Sequence, residues 1–147
     1  MARLAHLVRR SIRWFLDSRH VGERVAPTVA LSEQEVRHWE TMAVQDRLHA
    51  IRVLARFDSL VPGAPDGVRR GVLLHDVGKC ASGLGFIRRV AATVLGPVRP
   101  SWRTYLDHER IGSDLLRCSG SDDATWRLVR GDADPVVLRA LRFADDE

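Results

Sequence analysis

The sequence predicts an all-α protein, a single-domain helical bundle. Two observations carry this expectation. Apolar residues recur at helical spacing in one window after another. Gly/Pro clusters and helix-capping residues separate those windows. The chain has 147 residues, 45% of them hydrophobic and 29% charged, which fits one domain able to bury most of its apolar surface. No apolar run approaches the ~20 residues of a membrane span, and no repeat at solenoid spacing is visible. Cys80 and Cys118 lie far apart without Cys-x-x-Cys spacing; they read as free thiols in a reducing cytoplasm, not as a disulfide framework or a zinc knuckle. The net charge is 23 − 19 = +4. That favours anionic partners such as phosphates and is too mild to indicate nucleic acid.

Residues 1–31 form an N-terminal helix and linker. From Ala2 to Ser18, Leu4, Leu7, Val8, Ile12, Phe15 and Leu16 keep helical spacing, and Arg3, Arg9, Arg10 and Arg13 fill much of the remainder. The arginines also interrupt any signal-peptide core. Such a helix suits either an anionic surface or packing on the domain with a solvated Arg face. Gly22, Pro27 and Thr28 mark the linker. Residues 32–147 form the main helical domain. Ser32 with Glu35 three residues on is a capping-box pattern, and Val36, Trp39, Met42 and Ala43 supply the apolar side of that helix. His38 reads as a boundary histidine. The next helix, Val44 to Leu60, carries Val44, Leu48, Ile51, Leu54 and Ala55 as its stripe, with His49 beside it.

Pro62, Gly63, Pro65 and Gly67 then make a loop, with Asp66 as the expected N-cap. A helix runs from Gly67 through Val72, Leu73 and Leu74 to His75 and Asp76, and Gly78 is suited to the left-handed conformation that ends it. Further helices are expected over Phe86 to Leu95 and from about His108 to Cys118. A short one follows through Trp126, Leu128 and Val129, capped by Ser121. The last starts at the N-cap and N1 pair Asp134-Pro135. Val137, Leu138, Leu141 and Phe143 are expected to carry this last helix back to the core before the acidic end Ala144-Asp145-Asp146-Glu147.

The stretch Leu73-Leu74-His75-Asp76-Val77-Gly78-Lys79 stands out chemically. Two metal-ligand types sit side by side after an apolar run, and Lys79 is the only lysine among 23 Lys+Arg, leaving 23 − 1 = 22 arginines. A compact ammonium kept in so Arg-biased a chain suggests that a planar fork is not wanted there. Read alone, the stretch is equally an ordinary helix end with His and Lys near the C-terminal dipole.

The pattern His75-Asp76-x-Gly78-Lys79 resembles the HD-domain metal-dependent phosphohydrolase superfamily, named for its adjacent His-Asp pair. The resemblance runs from about Asp46 to Asp145 and implies a helical bundle of the HD-domain type. It implies His49, 75 − 49 = 26 residues before His75, as the first metal ligand. Asp145, 145 − 76 = 69 residues after Asp76 and next to Ala144, matches the final carboxylate; otherwise it is part of a frayed tail. In the run Asp107-His108-Glu109-Arg110-Ile111-Gly112, His108 followed four residues later by Gly matches a His that faces the metal site, joining a second metal or contacting phosphate. Otherwise it opens a solvated helix. One departure stands: no histidine follows His108, where many dinuclear members carry a His pair, and Trp126-Arg127-Leu128-Val129-Arg130 occupies that region. One metal per chain is therefore expected.

The implied ligands His49, His75, Asp76 and Asp145 make an N/O set suited to Mn, Fe, Co, Ni or Zn, with Mg also admissible. The implied activity is hydrolysis of a phosphate ester of a nucleotide or other small anionic molecule. Asp76, Lys79 and His108 would be catalytic, and Lys79, His108 and Arg47 would bind the substrate. Two other readings stand beside it: an HD-fold scaffold without turnover that binds a nucleotide or protein partner, and a basic helical module for nucleic acid.

Overall fold

Side-chain caps open three of the six described α-helices. The computed structural model describes residues 25–82 and 107–146. Ser32 opens α1 (Glu33–Thr41) with the expected capping box: its hydroxyl accepts from the Glu35 amide at 3.2 Å, and the Glu35 carboxylate accepts from the Ser32 amide at 2.9 Å. α2 (Val44–Leu60) has the expected limits and no side-chain cap. α3 (Asp66–Leu73) begins one residue earlier than expected, with Pro65 as N-cap and Asp66 inside the first turn. A 3-10 helix covers Val77–Ser82. α4 (His108–Cys118) matches expectation. α5 (Asp123–Arg130) is capped by Asp122 and not by Ser121, because the Asp122 carboxylate accepts from the Thr125 amide at 2.9 Å. α6 (Pro135–Asp145) starts as expected, with Asp134 accepting from the Val136 amide at 2.7 Å. All regular structure among the described residues is helical, so the all-α class holds. The helices expected over residues 2–18 and 86–95 lie outside the described residues.

One core joins these elements. Trp39 and Met42 from the α1 end, Leu54 and Phe57 from α2, and Val72, Leu73, Leu74 and Val77 from the α3 end meet Leu116, Leu128 and Ala144. The Trp39 indole N–H donates to the Val25 carbonyl at 2.9 Å, fastening the preceding linker to the core. α3 lies between α2 and α5, α4 packs on α5 and on the 3-10 helix, and α6 lies on α2. Among the described residues no helix is long and apolar enough to cross a membrane.

Two close approaches need glycine. A Cβ on Gly71 would stand 2.9 Å from the Thr125 carbonyl and 2.8 Å from a Leu128 methyl, so α3 and α5 touch backbone to side chain. A Cβ on Gly78 would stand 1.9 Å from the His108 carbonyl oxygen. This corrects the expected role of Gly78. Its φ is not positive, and it is required by the crossing with α4, not by a left-handed cap. Gly112 lies on the other side of the same crossing, against the Gly78 nitrogen.

The packing of α6 also departs from expectation. Val137, Leu138, Ala140 and Leu141 face the core and Ala144 is fully buried, but Phe143 is 58% exposed. At 100° per residue, Phe143 falls on the same face as Val136, seven residues earlier, which is 59% exposed.

Candidate metal centre

The site is assembled from three separate segments. α2 presents His49 and α6 presents Asp145. Between them lies the irregular junction at the end of α3. The α-helix stops at Leu73, short of the expected Asp76. Val72, Leu73, Leu74 and Val77 are all buried, and a straight helix would bring them onto widely separated faces, so the chain tightens. The Val77 amide donates to Leu74 at 3.0 Å and the Lys79 amide to Asp76 at 3.0 Å. This is three-residue spacing, in which side chains i and i+3 eclipse. The Lys79 ammonium accordingly lies directly on the Asp76 carboxylate, in a short buried ion pair.

His75 follows from the same turn. Its Nδ1 lies 2.8 Å from the Val72 carbonyl. A carbonyl only accepts, so Nδ1 carries a proton, and in the neutral ring Nε2 holds the lone pair. That Nε2 is buried without a hydrogen-bond partner. It faces Asp76 Oδ2 and Asp145 Oδ1, each at 3.6 Å, beyond hydrogen-bonding reach. His49 Nε2 stands 2.7 Å from Asp145 Oδ1, and the His49 and His75 ring centres are 6.0 Å apart. Donor atoms of His49, His75 and Asp76 all lie within 4.8 Å of one another. Asp145 closes the group on the side of the two imidazoles, 96 residues along the chain from His49. It is thus part of a packed helix end and not a frayed tail.

Electrostatics within the cluster are uneven. Burial opposes protonation of the His75 ring, but the Asp76 and Asp145 carboxylates outweigh it and raise the pKa above the ordinary imidazole value. Burial also opposes ionisation of Asp76, yet the His75 and Lys79 charges outweigh it and hold that carboxyl far below the usual range. Among the described residues two carboxylates and one ammonium sum to −2 + 1 = −1 with neutral imidazoles, which one further positive charge would balance. A proton on His75 supplies one, and a metal ion in the space faced by Nε2 supplies two. The donors fit a metal. A ring that fixes its tautomer by donating to a backbone carbonyl is the usual second-sphere arrangement of a metal-binding histidine, and a mixed N/O set suits first-row divalent ions.

His108, the first residue of α4, stands with Nε2 3.6 Å from Asp76 Oδ1. The Gly78–Gly112 crossing brings it there. Of the residues singled out in the sequence, His49, His75, Asp76, Lys79, His108 and Asp145 converge. Arg47 Nε is buried without a hydrogen-bond partner, and among the described residues no ion pair joins Arg47 to the cluster. His38 is a boundary residue as expected, its Nε2 2.6 Å from the Ser119 hydroxyl.

Two contributors were missed in the sequence. Arg56 donates to the Ala144 carbonyl at 3.0 Å, next to Asp145; its position seven residues after His49, on the same face of α2, was the available signal. The Val72 carbonyl carries no sequence signal. No protein-family model, no curated protein and no solved structure matches the chain. Donor chemistry and geometry therefore carry the functional reading.

Proposed function

We propose that the chain holds one divalent transition-metal ion between His49, His75, Asp76 and Asp145, and hydrolyses a phosphate ester beside it. The observation that carries this reading is the buried His75 Nε2, which faces two carboxylates at 3.6 Å and has no hydrogen-bond partner. An unpartnered polar atom in a buried site is costly, and one ion relieves it and the excess negative charge together. The order His49, His75-Asp76, Asp145 and its likeness to HD-domain phosphohydrolases supply the reaction class.

A bound ion of this kind supplies Lewis-acid polarisation of a phosphoryl group and lowers the pKa of water. The remaining roles belong to side chains. With a divalent ion the cluster changes from −1 to −1 + 2 = +1, which favours an anionic substrate. Lys79, 8% exposed at its side chain, keeps Asp76 ionised and in place; its positive charge adds to the field felt by phosphate oxygens. His108, 23% exposed at its side chain and 3.6 Å from Asp76, would exchange a proton with the ester oxygen.

Elemental analysis of protein purified from cells, followed by a screen of phosphate esters with added Mn, Co or Mg, tests the reading. It predicts about one metal per chain and metal-dependent release of phosphate or phosphomonoester. Metal-free protein that takes up none of these ions would contradict it. A second reading has its own observation. The Lys79–Asp76 pair already satisfies one carboxylate oxygen, as in a site that binds without turnover. Stoichiometric metal with no hydrolysis of any ester would favour that scaffold.

A further inference from the structure

α6 is the last described helix, and it delivers Asp145. Three kinds of contact hold its end. Ala144 is fully buried, with Val137, Leu138, Ala140 and Leu141 packed against the core. The Ala144 carbonyl, one of the last four of the helix and so without an intrahelical partner, accepts a hydrogen bond from Arg56 Nη1. Asp145 reaches His49 and stands 3.6 Å from His75 Nε2. The outer face, with Val136 and Phe143, is exposed. α6 packs chiefly on α2, whereas α5 packs on both α3 and α4. Among the described residues α6 is thus a ligand-bearing helix packed chiefly on one other helix, and Ala144 and Asp145, adjacent in the chain, both make polar contacts to α2.

We propose that α6 is a cation-dependent latch: the ion fastens it through Asp145, and Arg56 positions it through the Ala144 carbonyl. This rests on the metal-binding reading above and adds a consequence for the fold. A ligand shifts an equilibrium only by its differential affinity for the two states. When α6 lifts, the ion loses Asp145 and keeps at most His49, His75 and Asp76. The difference between four ligands and three is the strength of the latch. Arg56 acts on the same closure without touching the ion. Removing it loosens α6 whether or not metal is bound.

Hydrogen exchange of the full chain, read by mass spectrometry in EDTA and in Mn(II), tests this, with Mn(II) affinity measured separately by calorimetry. At free Mn(II) of about 100 times Kd, α6 amides exchange up to about 100-fold more slowly than in EDTA, less to the extent that three ligands retain the ion. α5 amides slow by a smaller factor. Asp145→Asn keeps the shape and a hydrogen-bonding oxygen towards His49 and abolishes the Mn(II)-dependent slowing in α6. Arg56→Ala speeds α6 exchange roughly 10-fold in both conditions but leaves the Mn(II) increment intact, and Arg56→Lys restores part of the loss. Mn(II) binding with α6 exchange unchanged, or slowed equally with α5, overturns the latch and leaves the metal site standing. Absence of Mn(II) binding overturns both.

Discussion

Two charged pairs six residues apart on the same segment meet opposite fates. Arg69 and Arg70 on α3 are each met by carboxylates, although Arg70 Nε, like His75 Nε2, is buried without a hydrogen-bond partner. Arg69 donates twice to Asp58, at 2.9 and 2.8 Å. Arg70 pairs with Asp122, the α5 cap, and lies 3.8 Å from Glu35 of the α1 capping box. Each guanidinium has carboxylates to meet it, and the network ties α1, α2, α3 and α5 together. His75 and Asp76 sit in a cluster of a different make-up. Two carboxylates stand 3.6 Å from one imidazole nitrogen that has no hydrogen-bond partner, and among the described residues the ammonium of Lys79 lies on one of them. Ion pairs that satisfy one another are architecture. A buried set of imidazoles and carboxylates from separate segments that could hold a cation is a candidate site.

The largest expected effect breaks the second cluster. Asp76→Ala leaves Lys79 buried without its carboxylate, and removing one member of a buried pair costs about 3–5 kcal/mol. Urea denaturation in EDTA measures this, and the same variant is expected to lose its metal and its turnover. A loss below about 1 kcal/mol would mean that Lys79 reaches water readily.

The next effect tests the crossing that places His108. Gly78→Ala puts a methyl group 1.9 Å from a backbone oxygen. Backbone must shift, at a cost of about 1–3 kcal/mol by analogy with overpacked cores. Turnover is expected to fall more than metal content, because His49 and Asp145 on α2 and α6 lie away from the crossing while His108 moves off Asp76. Unchanged turnover would remove His108 from the chemistry.

A smaller effect belongs to the arginine network. Asp122→Ala removes a helix cap worth about 1 kcal/mol. Burial opposes ionisation of Asp122, but the Thr125 amide and Arg70 outweigh it, so its pKa is lowered. Its contribution is therefore complete above the unfolded value of about 3.9 and is lost as the pH falls through the lower folded value. Denaturation curves of wild type and variant are expected to differ at pH 6 and to converge towards pH 3, with metal content identical throughout. A change in metal content would show that the two clusters are coupled. The smallest effect, within about 0.5 kcal/mol, is expected for Phe143→Ser on the exposed face of α6.

The parts of this molecule legible from sequence are those governed by local rules. The Ser32–Glu35 box, the span of α2, the start of α4 and the Asp134-Pro135 cap depend on neighbouring residues alone. The convergence of His49, His75, Asp76 and Asp145 was reached through motif order, which stands in for tertiary information. What failed was set by contacts between distant segments. Gly78 looked like a left-handed cap because its neighbours end a helix; its actual constraint comes from α4. Phe143 was counted as core by hydrophobicity, although Ala144 takes the buried position. Ser121 and Asp122 are both good caps, and the Arg70 guanidinium from α3 helps Asp122 win. Arg47, two residues along α2 from His49, lies on a different face of the helix.

The central claim is that a metal ion belongs between two imidazoles and two carboxylates. Anomalous diffraction from crystals grown with Mn(II), recorded where manganese scatters anomalously, tests it most directly. The account predicts one peak per chain, about 2.0–2.3 Å from His75 Nε2 and bonded also to His49, Asp76 and Asp145. No peak there, with the site contracted and His75 Nε2 donating a hydrogen bond to Asp76 or Asp145, would contradict it.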